Sequence, residues 1–191
     1  MPGKGPRIGL ALGSGAARGL AHIPILEVLE KEGIPIHMIS GTSIGSLIGG
    51  IYATGAPIRY MMEIARKIDW EHISDVTFPR KGLIKGDKLL AFLEIITQKK
   101  NFEDLKIPFS AIACDIENGE HIVLNKGSVA KAIRASTSIP GIYVPFYHQG
   151  RLLVDGAVLD PIPVSTVRKM GADIIIAVDV GIKNVDYAAN N

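Results

Sequence analysis

Cysteine is almost absent from this sequence. Cys114 stands alone, so no internal disulfide can form, which fits a reducing compartment. Its surroundings, Phe109-Ser110-Ala111-Ile112-Ala113, are apolar and read as core, not as the setting of a reactive thiol. Long hydrophobic runs are also missing. None approaches the ~20 residues of a membrane span, and the richest, Ile174-Ile175-Ile176-Ala177-Val178, stops at Asp179. The opening Met1-Pro2-Gly3-Lys4-Gly5-Pro6 leads into no apolar segment of signal-peptide length. An excess of one charge is lacking too. With 21 basic and 19 acidic residues the net charge is +2, too even for a nucleic-acid-binding surface. These absences point to a soluble, cytoplasmic protein, with peripheral contact at a membrane surface left open.

What is present is enough to build a core. The chain has 191 residues, 47% of them hydrophobic, so it can bury roughly two-thirds or more of its unfolded surface without a metal or disulfide staple. No repeat, linker or low-complexity stretch divides it, and a single domain over 1–191 is expected. Residues 182–191 carry no structure signal and read as a disordered tail or a truncation end. Along the chain, short apolar strands alternate with helical patterns. Strands are expected at Arg7–Leu12, Ile36–Ser40, Arg151–Val154 and Ile174–Asp179, with helices at Ala16–Glu32, Ile44–Ala53 and Pro161–Met170 among others. Pro24 inside the first helix marks a bend or a late start. Asn118-Gly119 and Gln149-Gly150 predict two hairpins. This alternation implies an α/β fold with three α/β/α layers and a largely parallel central sheet.

Gly41-Thr42-Ser43-Ile44-Gly45 is a G-x-S-x-G placed between an expected strand and an expected helix. In that setting the serine sits on a sharp strand-to-helix turn. Small neighbours let the backbone pass, and the helix N-terminus faces the charge that develops during attack. The pattern alone would arise by chance about 0.1 times in a chain of this composition, so its context matters more than its letters.

A glycine-rich loop, Gly13-Ser14-Gly15-Ala16-Ala17-Arg18-Gly19, follows the first strand. Such a loop can cradle a dinucleotide pyrophosphate or supply backbone N–H groups to an oxyanion. The dinucleotide reading wants an acid at the end of the second strand, where Met38-Ile39-Ser40-Gly41 has none. The oxyanion reading is therefore preferred. Arg18 either assists an anion or pins the loop to a carboxylate.

A serine nucleophile needs a base, usually histidine. The five histidines are His22, His37, His72, His121 and His148, and none follows residue 148. A Ser43–Asp115–His148 triad stays open. The other candidate is Asp155 in Val154-Asp155-Gly156-Ala157, at the end of an apolar strand. That is where an α/β sheet presents functional groups. Its carboxyl would need burial beside Ser43 to raise its pKa.

Together these motifs resemble the patatin-like phospholipase family: a glycine-rich loop with Arg18-Gly19, then Gly41–Gly45, then Asp155-Gly156-Ala157, in that order. Leu20-Ala21-His22-Ile23, Ala113-Cys114-Asp115 with Asn118-Gly119-Glu120, and Ala135-Ser136-Thr137-Ser138-Ile139-Pro140 are similar to short bacterial members. The resemblance implies a Ser43–Asp155 dyad without histidine. It implies oxyanion donors at Gly15, Ala16 and Ala17, helped by Ile44, and Gly13, Gly41, Gly45, Gly156 and Ala157 as motif positions. It also implies a lipid or other acyl-ester substrate, with no cofactor, no metal and no nucleic acid. Ser14 and Ala16 depart from the family's usual glycines. A fold-retaining lipid-binding protein with weak turnover is the alternative. Lys81, Lys85 and Lys88 around Gly82-Leu83-Ile84 are the candidate membrane contact. No oligomeric state is implied.

Overall fold

The computed structural model describes residues 5–67 and 84–181. Residues 182–191, Lys81, Gly82 and Leu83 lie outside that range. Seven strands form one sheet: β1 (Ile8–Leu12), β2 (Met38–Thr42), β3 (Phe109–Asp115), β4 (Glu120–Leu124), β5 (Phe146–His148), β6 (Arg151–Asp155) and β7 (Ile174–Val178). Six α-helices accompany them: α1 (His22–Lys31), α2 (Ile44–Ala53), α3 (Ile58–Lys67), α4 (Asp87–Ile96), α5 (Val129–Ser136) and α6 (Val164–Lys169).

The middle of the sheet is parallel, with β7, β1, β2 and β3 side by side. An antiparallel extension is built from the two hairpins, β3–β4 and β5–β6. The β5–β6 turn is the two-residue type I′ that Gln149-Gly150 predicts, with φ +50 and +78. The β3–β4 hairpin forms but turns differently: its loop has four residues, 116–119, and only Gly119 takes a positive φ, +65.

Alternation along the strands separates two cores. Leu10, Leu12, Ile39, Phe109, Ala111 and Ala113 face one side, under α1 to α5. Ala11 and Met38 face the other and meet Val167 of α6. Helices thus cover both faces, giving the three α/β/α layers that the alternating pattern implies. On the α6 side β1 presents small residues, Gly9 and Ala11. A Cβ on Gly9 would stand 2.3 Å from Val167 Cγ1, so this short helix rests directly on the backbone.

α2 is buried at all ten positions, as expected of a helix apolar on every side. Gly49 and Gly50 let it settle against Ile39, Phe109 and Ile133. α1 begins late, at His22, after a 3-10 turn over Ala16–Ala21. Pro24 then falls in the first α-turn, where its missing N–H has no intrahelical partner to lose.

One topological detail positions everything that follows. β3 pairs with β4 over 111–115, so β2 (paired with 109–112) and β6 (paired with 113–115) must share its opposite edge. The two run toward each other and stop on adjacent rungs, Thr42 opposite Ile112 and Asp155 opposite Ala113.

Candidate active site

Three strand C-termini converge where β2 and β6 meet. β2 delivers Ser43, β6 delivers Asp155, and β1, beside β2, delivers the loop that starts at Gly13. Ligand-binding groups gather at such carboxyl ends in α/β sheets.

Ser43 has φ 56 and ψ −123, a backbone region that L-residues avoid at a cost of order 1–3 kcal/mol. Crowding holds it there. A Cβ on Gly41 would meet Gly45 O at 2.4 Å, and one on Gly45 would meet Leu12 O at 2.1 Å. The two glycines of the motif are therefore required by close backbone approach. The turn is braced by hydrogen bonds. Ser46 Oγ donates to Ser43 O at 2.6 Å, the Ser43 N–H donates to Ser136 Oγ at 2.9 Å, and Thr42 Oγ1 donates to Asp160 O at 2.9 Å.

Ser43 Oγ donates to Asp155 Oδ2 at 2.5 Å. The other carboxylate oxygen, Oδ1, accepts from the Ala157 N–H at 2.8 Å. The backbone N–H of Asp155 donates to Ser138 O at 2.9 Å. Gly156 lies so close to Ile112 O that any Cβ would clash. Ser43 and Asp155 are 7% and 4% exposed. Burial pushes the Asp155 carboxyl above its ordinary pKa, against the opposing hydrogen bonds from Ser43 and Ala157. A buried carboxylate with a raised pKa beside a serine hydroxyl is what general-base chemistry would need.

The glycine-rich loop is tied at its start and left open after it. The Gly13 N–H donates to Val178 O and the Ser14 N–H to Pro161 O. Gly13 O accepts from His22 Nε2 at 2.8 Å. A carbonyl can only accept, so Nε2 carries the proton. Burial also lowers the His22 pKa, which keeps the ring neutral. Among the described residues no hydrogen bond occupies the N–H groups of Gly15, Ala16 or Ala17. Ala16 sits at φ +48, the conformation that glycine adopts most easily. Gly19 packs beneath Ile44. Arg18 donates from Nε to Val180 O at 2.9 Å, so it pins the loop to a backbone carbonyl and not to a carboxylate. The helix α1 starts six residues after Ala16, which removes the helix N-terminus that a dinucleotide pyrophosphate would use.

Ala16, Ala17 and Ser43 line one cavity of about 320 Å³, whose remaining walls include Ile44, Leu89, Leu93, Ile139 and Tyr143. It is apolar except around Ser43 and Thr137 and lies at the lower end of the usual range for ligand pockets, about 300 Å³ upward.

The Ser43–Asp115–His148 alternative does not assemble. Asp115 is bound to Asn118 and Arg151, and the His148 ring stacks on Phe146. Residues with no role assigned from sequence brace the site, two of them within the Ala135–Pro140 stretch. Ser136 and Ser138 hold Ser43 and Asp155 through the backbone. Arg134, 2% exposed, donates to Ser138 Oγ at 2.6 Å and to Gly86 O and Val144 O, and lies over the rings of Tyr143 and Phe146. The signal for Arg134 was its place on the same helix as apolar Val129, Ala130, Ile133 and Ala135, whereas Lys131 of that helix is exposed.

The family model of patatin-like phospholipase matches residues 10–168. An uncharacterised NTE family protein of Mycobacterium tuberculosis is 36% identical over 178 residues, covering 92% of this chain and 49% of that protein. A lysophospholipase NTE1 of Scheffersomyces stipitis is 38% identical over 180 residues, covering 91% of this chain and 12% of that protein. The chain thus spans about half or less of the curated relatives it matches. Among solved structures, VipD from Legionella pneumophila has a similar fold, with TM-score 0.73 at 14% identity, over 84% of this chain and 47% of that one.

Proposed function

Since this chain belongs to the patatin-like phospholipase family, we propose that it hydrolyses acyl esters of lipids through a Ser43–Asp155 dyad. The carrying observation is the 2.5 Å hydrogen bond from Ser43 Oγ to a buried, pKa-raised carboxylate at the base of an apolar cavity.

In this mechanism Ser43 Oγ attacks the ester carbonyl carbon and its proton passes to Asp155 Oδ2. The carbonyl oxygen becomes an oxyanion, received by the open N–H groups of Gly15, Ala16 and Ala17 and by Ile44 at the start of α2. Collapse of this intermediate expels the alcohol, which takes the proton from Asp155 and leaves an acyl-serine. Asp155 then deprotonates water, which attacks the acyl carbon, and the proton returns to Ser43 as the acid leaves. Ala157 holds Oδ1 throughout, so that Oδ2 remains aimed at Ser43. Lysophospholipids and phospholipids are the substrate class favoured by the apolar cavity and by the names of the relatives.

Intact-mass analysis after exposure to a fluorophosphonate tests the dyad. Wild type is expected to gain one adduct, Ser43→Ala none, and Asp155→Asn to react slower by about 10²-fold or more. A folded wild type that gains no adduct sinks the reading and favours a lipid-binding protein without turnover. The membrane contact belongs to the same reading. Ile84 is bridged to Tyr143 of the cavity wall, and the exposed Lys85 and Lys88 follow it in the chain. Co-sedimentation with vesicles should rise with anionic lipid and fall in Lys85→Glu/Lys88→Glu; insensitivity to lipid charge removes that contact.

A further inference from the structure

Behind the cavity beside Ser43 lies a second, smaller void of about 30 Å³. Leu20 and Leu47 form a wall of both spaces. Among the described residues the lining of the second is apolar, including Ile48, Met61, Ile64 and Phe92, and offers water no hydrogen-bond partner.

The two spaces are continuous along two helices. On α2 the stripe Ile44–Leu47 borders the first and Leu47–Ile48–Ile51 the second. On α4, Leu89 and Leu93 border the first, while Phe92 and Ile96 border the second. These spacings of three and four residues keep each stripe on one helix face. An apolar seam therefore leads from Ser43 between α2 and α4, interrupted by the two leucines. Leu47 is one helical turn beyond Ser43, and Leu20 approaches from the 3-10 turn that carries the open N–H groups.

We infer that Leu20 and Leu47 are the stop that sets the length of acyl chain accepted at Ser43, and that the void behind them extends the acyl subsite once the stop is cut back. This rests on the acyl-hydrolase reading for its substrate, and on the geometry of the seam for its position. The occupant is the distal, methyl end of a saturated acyl chain. Among the described residues the lining beyond the two leucines is apolar throughout and suits no polar part of a lipid.

Fatty-acid binding separates this inference from turnover. Calorimetry on Ser43→Ala, with saturated fatty acids of graded length below their micelle concentrations, should show affinity rising roughly fourfold per buried methylene up to a plateau. Adding Leu20→Ala, or the milder Leu47→Val should the first unfold, is expected to move the plateau to longer chains. Adding Ala65→Leu to Leu20→Ala refills the void from its far wall and should return the plateau toward the starting length. In otherwise native protein, kcat/KM for long over short p-nitrophenyl esters should rise roughly tenfold in Leu20→Ala. A plateau that stays in place in the folded truncation variants overturns the inference. A plateau that moves while wild type cleaves no ester instead overturns the hydrolase reading and leaves the subsite standing.

Discussion

Asp155 is held where its charged form is disfavoured, and that has two measurable effects. As the proposed base it must be ionised for turnover, so kcat/KM should fall on the acid side as it takes up a proton. The midpoint of that limb should lie above the ~3.9 of an exposed aspartate, because burial outweighs the hydrogen bonds from Ser43 and Ala157. A limb at or below the ordinary value in a pH–rate profile would contradict this. For stability, a carboxyl whose folded pKa is raised contributes a penalty. Both states are protonated at low pH and nothing is lost. The penalty sets in as pH climbs past the unfolded value and is complete above the folded one. Asp155→Asn should therefore melt higher than wild type at neutral pH, by roughly 2–4 °C for each ~1 kcal/mol recovered. Ser43 and Ala16 store strain of a different kind, in positive φ. Ser43→Gly is expected to be about 1 kcal/mol more stable than Ser43→Ala by urea denaturation, and Ala16→Gly no less stable than wild type. Ser43, Asp155 and the loop were legible as residues because their motifs report backbone requirements. The strain at Ala16 was legible only as a departure from glycine.

Single elements explain what the motifs did not. The stretch 136–138 touches both halves of the dyad, through Ser136 Oγ to the Ser43 N–H and through Ser138 O to the Asp155 N–H. Ser136→Ala orphans a buried N–H, a loss of about 1–3 kcal/mol, and should lower kcat more than it raises KM. His22 acts at the other side of the site, through the Gly13 carbonyl. His22→Leu deletes the donor and should lower kcat with little change in KM, whereas His22→Gln retains an N–H and should recover part of the loss. Steady-state kinetics on the three variants checks both expectations. Hairpins, the buried α2 and the late start of α1 followed from turn residues, apolar composition and Pro24. The meeting of β2 and β6 did not, because strand order depends on pairings between segments far apart in sequence. The bracing serines stood in a stretch similar to the family's but without a role, for a similar reason: Ser136 Oγ and Ser138 O receive main-chain N–H groups of segments far away in sequence.

At the scale of the whole molecule, acid should act on two buried carboxyls in opposite senses. Asp115 is held below its ordinary pKa, foremost by the Asn118 side chain and also by Glu117 N–H and Arg151. Its contribution to stability is present above the unfolded value and lost as pH falls through the folded one, while the Asp155 penalty is relieved over its own range. A series of urea midpoints against pH should therefore be flatter at its acid end in Asp115→Asn than in wild type; parallel curves would refute this. The layered architecture was visible in the alternation of elements, since both faces of a parallel sheet must be covered. The head-on strands add something that architecture alone does not. Because β2 and β6 end on consecutive rungs of β3, the gap between Ser43 and Asp155 is counted, not tuned. Insertions in the chain between Ser43 and Asp155 are absorbed by loops unless they fall within β3 or β6, whose pairing sets the two rungs. Within β3, one extra residue would part the two groups by a full strand step of about 3.3 Å. The dyad behaves as a digital device, set by register and lost in whole steps, which gradual drift elsewhere in the chain leaves untouched.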